Sequence, residues 1–250
     1  MRQVHLVGIG VGHPDQLTVQ AVTALRQAQH FFIVDKGAPA QALVDVRTEI
    51  LRRHVPGRHD VSTIADPDRD RSPQDYEKAV ANWHRARAER YEKALAELDD
   101  DGVGAFLIWG DPGLYDSTLR ILEQVHDRGR VTFDITVVPG VSAIQALTAA
   151  FAIPLNRVGA PVHITTGRRL RDEGMTADDV VVLLDGAASW QHVDPTVEIL
   201  WGAYLGTDDE LLVRGRVGEV GPDIIRTRAD ARAQHGWIMD TYLLRRSPTG

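Results

Sequence analysis

The segment Trp109-Gly-Asp-Pro-Gly-Leu-Tyr-Asp-Ser-Thr118 gathers the residue types in this chain most suited to holding a ligand. The apolar run before it, Val103 to Ile108, has the composition of a buried strand bounded by turn residues. Gly110, Pro112 and Gly113 then force an irregular loop, and Asp116 or Ser117 is placed to cap a helix beginning near Thr118. Where Cβ atoms are missing, backbone can come close to a ligand. The carboxyl end of a strand is also where open α/β sheets bind small molecules. Taken alone, the loop is equally a strand-to-helix turn that holds nothing.

Two further glycine loops follow strand-like runs. Residues 4–9 (VHLVGI) end in Gly8-Ile-Gly10-Val-Gly12, and Leu17, Val19, Val22, Leu25 and Ala28 then form a helical stripe beside Thr18. Phe31 to Val34 form a second strand closing on Asp35 and Lys36, so strand, turn, helix and strand make a βαβ unit with a parallel sheet. Asp35 even stands where a dinucleotide's ribose partner belongs, but the third glycine of that fingerprint is replaced by His13, followed by Pro14. Nicotinamide or flavin binding is therefore disfavoured. Phe133 to Val138 form a further strand, ending in Pro139-Gly-Val-Ser-Ala143 and a small-residue helix to about Phe151. Ser142 lacks the following glycine of a nucleophile elbow, since residue 144 is Ile144, which argues against a serine hydrolase. His5 alternates with apolar strand residues, and His13, His54 and His59 lie in loops without ligand spacing, so no metal site is expected.

The elements that must position these loops are legible to different degrees. Residues 53–72 are polar and carry no period, and they read as a long surface loop. Ser72-Pro73 offers a helix start, with a helix to about Asp99 bearing Tyr76, Val80, Trp83, Tyr91, Leu95 and Leu98 on one face. Arg87 falls on that stripe, either snorkelling to solvent or facing a cleft where it meets an anion. Pro154, Asn156, Gly159 and Pro161 break the pattern, which places a boundary between domains 1–157 and 158–250. Beyond it, Val162–Thr166, Val180–Leu184, Glu198–Tyr204, Leu211–Val217 and Trp237–Leu244 read as strands of a smaller mixed sheet joined by few, short helices. The fold class expected is thus α/β in two domains, the first mostly parallel with helices on both faces.

Composition narrows the function classes. The formal charge of −7 argues against non-specific nucleic-acid binding. The absence of cysteine removes disulfides, thiolate metal sites and cysteine nucleophiles together. No apolar run approaches a membrane span, and the amino terminus enters a strand with no secretory h-region, so a cytoplasmic protein is expected. Only Lys36, Lys78 and Lys93 are lysine; the remaining basic residues are arginine, whose fork suits carboxylates and phosphates.

Three segments in this order resemble the tetrapyrrole methylase family: VGIGVGHPDQLTVQAVTALRQA, WGDPGLYDST and VVPGVSAIQALTAAFAIPL. The DPDRDR loop, the helix YEKAVANWHRARAERYEKAL and the carboxyl segment HGWIMDTYLLRR resemble one branch of it, which methylates precorrin-5 at C-1 with loss of an acetyl group in aerobic cobalamin biosynthesis. The resemblance implies two α/β domains with S-adenosylmethionine in the trough between them, and a homodimer. It places Val11, Gly110, Asp111, Leu114, Ser142 and Ala143 on the cofactor, with Leu184, Asp185, Tyr204, Leu205, Gly236 and Trp237 closing around adenine. At Asp185 several relatives have a methionine after a comparable strand. The substrate implied is a polycarboxylate, for which Arg69, Arg71, Arg87, Arg168 and Arg169 are candidate partners. Acetate loss needs water at the acetyl carbon, and Asp35, Tyr115 and Asp116 are candidates to assist it. Other readings are a methyltransferase for another ring position or for uroporphyrinogen III, and a non-catalytic tetrapyrrole carrier.

Overall fold

A computed structural model describes residues 1–35, 37, 41–68, 75–236 and 238–247. Packing separates two compact units, Met1–Val141 and Ser142–Gly250.

In the first unit five strands alternate with helices: β1 (Arg2–Gly8), α1 (Val19–Gln27), β2 (His30–Asp35), α2 (Gln41–His54), β3 (Asp60–Ala65), α3 (Tyr76–Leu95), β4 (Val103–Ile108), α4 (Thr118–Arg128) and β5 (Phe133–Val138). The strands run in the order β3-β2-β4-β1-β5 and every pairing is parallel. All their carboxyl ends therefore share one edge. Both faces are covered, as the near-continuous apolar strands require. Neighbouring residues of a strand point to opposite faces: Phe31 joins one core with Leu25 and Ile50, whereas Phe32 joins the other with Tyr91 and Phe106.

Two elements differ from the sequence reading. The polar stretch 53–72 contains the end of α2 and the whole of β3. β3 is an edge strand that buries only Ile64, so it has no apolar alternation to betray it. Helix α3 is capped by Asp75, whose carboxylate accepts the Lys78 amide at 3.0 Å. The expected start at Ser72-Pro73 lies outside the described residues. At α1 the expected start holds, with Thr18 accepting the Ala21 amide at 3.0 Å.

The second unit comprises α5 (Ala143–Ala150), β6 (Val162–Thr166), α6 (Gly167–Glu173), β7 (Asp179–Leu183), β8 (Glu198–Ala203), β9 (Leu211–Arg216), α7 (Val217–His235) and β10 (Asp240–Arg245). Its sheet, β6-β7-β10-β8-β9, is parallel only between β6 and β7. Trp190, Trp201 and Tyr242 fill its core. Helix α5 belongs with this unit because Leu147 lies against Gly202 of β8. The proline–glycine break at 154–161 accordingly falls inside the unit rather than at its start. Helix α7 is long where short helices were expected. Gly218, Gly221 and Pro222 crowd its first turns and disguise its period.

Candidate functional site

Strands β4, β1 and β5 are neighbours, so the loops that follow them converge at one edge of the first sheet. The Ile9 amide donates to the Ile108 carbonyl at 2.9 Å, and the Gly110 amide donates to the Gly10 carbonyl at 2.8 Å. The loop after β5 is closer still. A Cβ on Gly140 would stand 2.2 Å from the Gly110 carbonyl oxygen, and one on Gly8 would stand 2.5 Å from the Gly140 nitrogen. Only glycine allows three backbones to meet at this spacing.

Asp111 fastens the arrangement. Its Oδ1 accepts the Gly113 amide at 2.8 Å and its Oδ2 accepts the Gly140 amide at 3.0 Å. Gln16 holds the first loop by accepting the Val11 amide at 3.0 Å, with Val11 itself buried. Leu114 donates its amide to the Asp111 carbonyl at 3.2 Å. Asp116 accepts the Thr118 amide at 2.7 Å and so caps α4, while Ser117 makes no such cap bond. Tyr115 has a left-handed backbone (φ 52°) and an exposed ring, and partial burial raises its phenol above the ordinary tyrosine value. At the end of β2, Asp35 accepts the Gly37 amide at 2.8 Å.

Arg87 takes neither of the two courses weighed from sequence. Its side chain is 6% exposed. Nε lies 2.8 Å from Asp66 Oδ1, Nη1 donates to Ser117 Oγ at 2.6 Å, and Nη2 donates to the Tyr91 hydroxyl at 2.9 Å. The guanidinium also stacks 4.7 Å from the Trp83 ring centroid. Each of its nitrogens is thus engaged inside the protein. Burial pushes the Tyr91 phenol up to about 12, although the neighbouring Arg87 pulls the other way. On the same face of α3, Trp83 donates to the Pro67 carbonyl at 3.0 Å and Arg90 donates to the Ala65 carbonyl. The helix therefore ties the chain after β3 to the loop after β4.

In the second unit, β10 runs antiparallel to β7 and β8, so its start meets their ends, with Asp240 opposite Ala203. Leu184 follows β7 with a left-handed backbone (φ 54°) and a side chain facing solvent. Tyr204 and Leu205 follow β8 and are buried, with the Tyr204 amide donating to the Met239 carbonyl at 3.1 Å. Gly236 ends α7 in the left-handed conformation. Trp237 lies outside the described residues.

Asp185 is a hub rather than a free carboxylate. It accepts the Ser189 amide at 2.6 Å, the Ser189 hydroxyl at 2.9 Å, the Ala187 amide at 3.1 Å and the Tyr242 hydroxyl at 2.6 Å. Burial, and then the facing Asp185, raise the Tyr242 phenol. Ser142 caps α5, its hydroxyl accepting the Ile144 amide at 3.2 Å, and Ala143 opens that helix. Arg168 and Arg169 lie exposed on α6, where Arg169 pairs with Glu173 one turn on. Arg69 and Arg71 lie outside the described residues.

Sequence reasoning passed over Gln16, Asp66 and Arg47. Each acts through a contact distant in sequence or through a backbone group, and nothing in its local pattern marks it.

Residues 3–221 match the family model of the tetrapyrrole (corrin/porphyrin) methylases. The chain belongs to this family. Among tetrapyrrole methylases, the precorrin-6A synthase [deacetylating] of Sinorhizobium sp is 50% identical over 98% of this chain and 96% of its own. A crystal structure of a cobalamin synthesis related protein, CobF, from Corynebacterium diphtheriae superposes with a TM-score of 0.84 at 40% identity, covering 98% of each chain. The uroporphyrin-III C-methyl transferase of Thermus thermophilus, complexed with S-adenosyl homocysteine, shares the fold at a TM-score of 0.60 and 21% identity, covering 97% of this chain and 92% of its own. The glycine-bearing loops after β1, β4 and β5 all fall inside the matched methylase region.

Proposed function

We propose that this methylase transfers a methyl group from S-adenosylmethionine to C-1 of precorrin-5, with loss of the acetyl group as acetate, giving precorrin-6A. The observation that carries the reading is the 50% identity to the Sinorhizobium precorrin-6A synthase along nearly the full length of both chains.

The residues present fit the cofactor. In the first unit the backbone at Gly10 and Gly110 bears no Cβ; Asp111 joins the loops after β4 and β5, and the Gly10–Gly110 bridge joins the loop after β1 to them. Val11, Gly110, Asp111 and Leu114 would hold it there. In the second unit the exposed Leu184 offers an apolar surface of the kind adenine requires. Ser142, Ala143, Asp185, Tyr204, Leu205, Gly236 and Trp237 are assigned to it with Leu184. Because the Asp185 carboxylate is occupied by protein donors, its part is to shape the turn after β7. When bound, S-adenosylmethionine supplies an electrophilic methyl on a sulfonium.

Methyl transfer to a ring carbon asks mainly for positioning and exclusion of water. Acetate loss asks for more. Water adds to the acetyl carbonyl and gives up a proton, the carbon–carbon bond to the ring breaks, the electron pair passes to the macrocycle, and acetate departs. A carboxylate is the fitting acceptor for that proton. Asp35 and Asp116 each lie in the first unit at the carboxyl edge, and each accepts one backbone amide through a single oxygen, Oδ1. Tyr115, with its phenol raised, is neutral near pH 7 and serves as a hydrogen-bond donor rather than as a base. Arg69, Arg71, Arg168 and Arg169 remain candidates for the substrate carboxylates, and Arg87 supports the loop after β4. The protein is expected to act as a homodimer in the cytoplasm. No helix among the described residues is long and apolar enough to cross a membrane.

The test is transfer of labelled methyl from S-adenosylmethionine to precorrin-5, with precorrin-4 and uroporphyrinogen III in parallel. Labelling of precorrin-5 alone is the expected result. Labelling of either alternative instead would overturn the assignment.

A further inference from the structure

Arg47 of α2 stands where β2 and β4 part. The ladder between those strands ends at the pair Phe32 and Phe106, yet β2 runs on to Asp35 and β4 to Ile108. The Ile108 carbonyl accepts from Ile9 on the β1 side. Backbone carbonyls alternate in direction along a strand, so the Leu107 carbonyl faces the β2 side, where the ladder has stopped. Arg47 Nε donates to it at 3.0 Å, and Nη1 donates to the Leu43 carbonyl at 2.6 Å. Two neutral carbonyls are thus its only hydrogen-bond acceptors among the described residues.

Arg47 is half-buried, and the two fully buried arginines are built differently. Arg87 lies 2.8 Å from Asp66, and Arg228 lies 2.9 Å from Asp240. Among the described residues no carboxylate oxygen lies within 4.0 Å of the Arg47 guanidinium. Asp116 attracts it only from beyond that range, and burial outweighs the attraction, lowering the guanidinium to about 10. It therefore stays protonated at neutral pH. Even half-buried, a cation without a counter-ion loses part of its hydration with no charge to offset it. A guanidinium donates five N–H bonds in a planar fork that matches a carboxylate, and the two carbonyls leave part of that fork unused. Asp35, at the end of β2, marks the other side of the same opening.

We propose that Arg47 is the receptor for a ligand carboxylate at the opening between β2 and β4. The proposal rests on the methyltransferase reading, which supplies two sources of that chemistry: the acetate and propionate groups of the tetrapyrrole, and the amino-acid end of the cofactor. A lysine keeps the charge but loses the fork.

The test begins with turnover of precorrin-5 by the unaltered protein, which judges the methyltransferase reading on its own. Arg47→Gln and Arg47→Lys are then compared for S-adenosylhomocysteine affinity by calorimetry and for KM and kcat with precorrin-5. Loss of one charged hydrogen-bond pair weakens binding by about ten- to a hundredfold. Arg47→Gln is expected to raise the S-adenosylhomocysteine Kd by that factor if the cofactor supplies the carboxylate, or the precorrin-5 KM if the substrate does. Arg47→Lys recovers part of the loss. Unchanged values for both ligands, in a protein that still methylates precorrin-5, would overturn the proposal. Phenylglyoxal labelling of the unaltered protein, read by peptide mass, serves if the variants do not fold. Protection of Arg47 by either ligand supports the proposal. Equal labelling with and without both ligands overturns it, as does an Arg47 that never labels.

Discussion

The backbone amide of Gly140 donates to Oδ2 of Asp111 at 3.0 Å, so the carboxylate that opens the loop after β4 also fastens the loop after β5. Its other oxygen closes its own loop through the Gly113 amide at 2.8 Å. One side chain thereby sets the spacing of two loops that lie on either side of β1.

Replacing Asp111 tests that role. Asp111→Ala leaves two amides without their charged acceptor and is expected to cost about 3 kcal/mol of stability. Asp111→Asn retains one carbonyl acceptor and is expected to cost less. In both, S-adenosylhomocysteine affinity should fall at least about tenfold, because the loops lose their relative position. Urea unfolding and calorimetric titration give the two quantities separately.

The glycines that meet at this edge make a second comparison. Gly140→Ala would put a Cβ 2.2 Å from the Gly110 carbonyl oxygen, which is backbone and cannot swing away. Its expected cost is about 3 kcal/mol or more. Gly129→Ala, at the left-handed end of α4 with open space around it, should cost only about 1 kcal/mol. Equal midpoints in urea for the two variants would contradict the close approach.

These contacts also show what was legible in the sequence. The loops after β1, β4 and β5 are legible because glycine and proline after an apolar run are strong punctuation. Their convergence follows from a parallel sheet, which the first βαβ unit already implied. β3 is not legible, because an edge strand with one buried side chain carries no apolar alternation. Arg87 stands out in sequence among its aromatic neighbours, but its partner Asp66 lies 21 residues away along a polar stretch. Pairing of that kind is decided by the fold. The same holds for Asp185, whose four donors include Tyr242 from the far end of the chain.

Stability should fall at alkaline pH. Burial holds the Tyr91 phenol up at about 12 in the folded protein, above the ordinary tyrosine value of 10.0. Its contribution is full below pH 10 and is lost as pH rises through 12, because the unfolded chain gives up the proton first. The loss amounts to about 3 kcal/mol. Tyr242, raised further by burial and by Asp185, adds to the trend. Urea midpoints at pH 9 and pH 11, with tyrosinate absorbance followed in parallel, should show the decline. Tyr91→Phe should flatten it.

Asp185→Ala separates a structural role from a binding one. Removing the carboxylate orphans the Ser189 amide and hydroxyl and the Tyr242 hydroxyl, and is expected to cost about 4 kcal/mol. Asp185→Asn, which keeps the shape and one acceptor, should lose less stability and leave S-adenosylhomocysteine affinity within about twofold of the unaltered protein. Thermal denaturation and calorimetry distinguish the two effects.

The assignment as a deacetylating methyltransferase is tested most directly by counting products. Purified protein is incubated with precorrin-5 and methyl-labelled S-adenosylmethionine, and acetate and incorporated label are measured in the same reaction. One acetate released for each methyl transferred is the expected result. Methyl transfer without acetate, or no transfer to precorrin-5 at all, would contradict it.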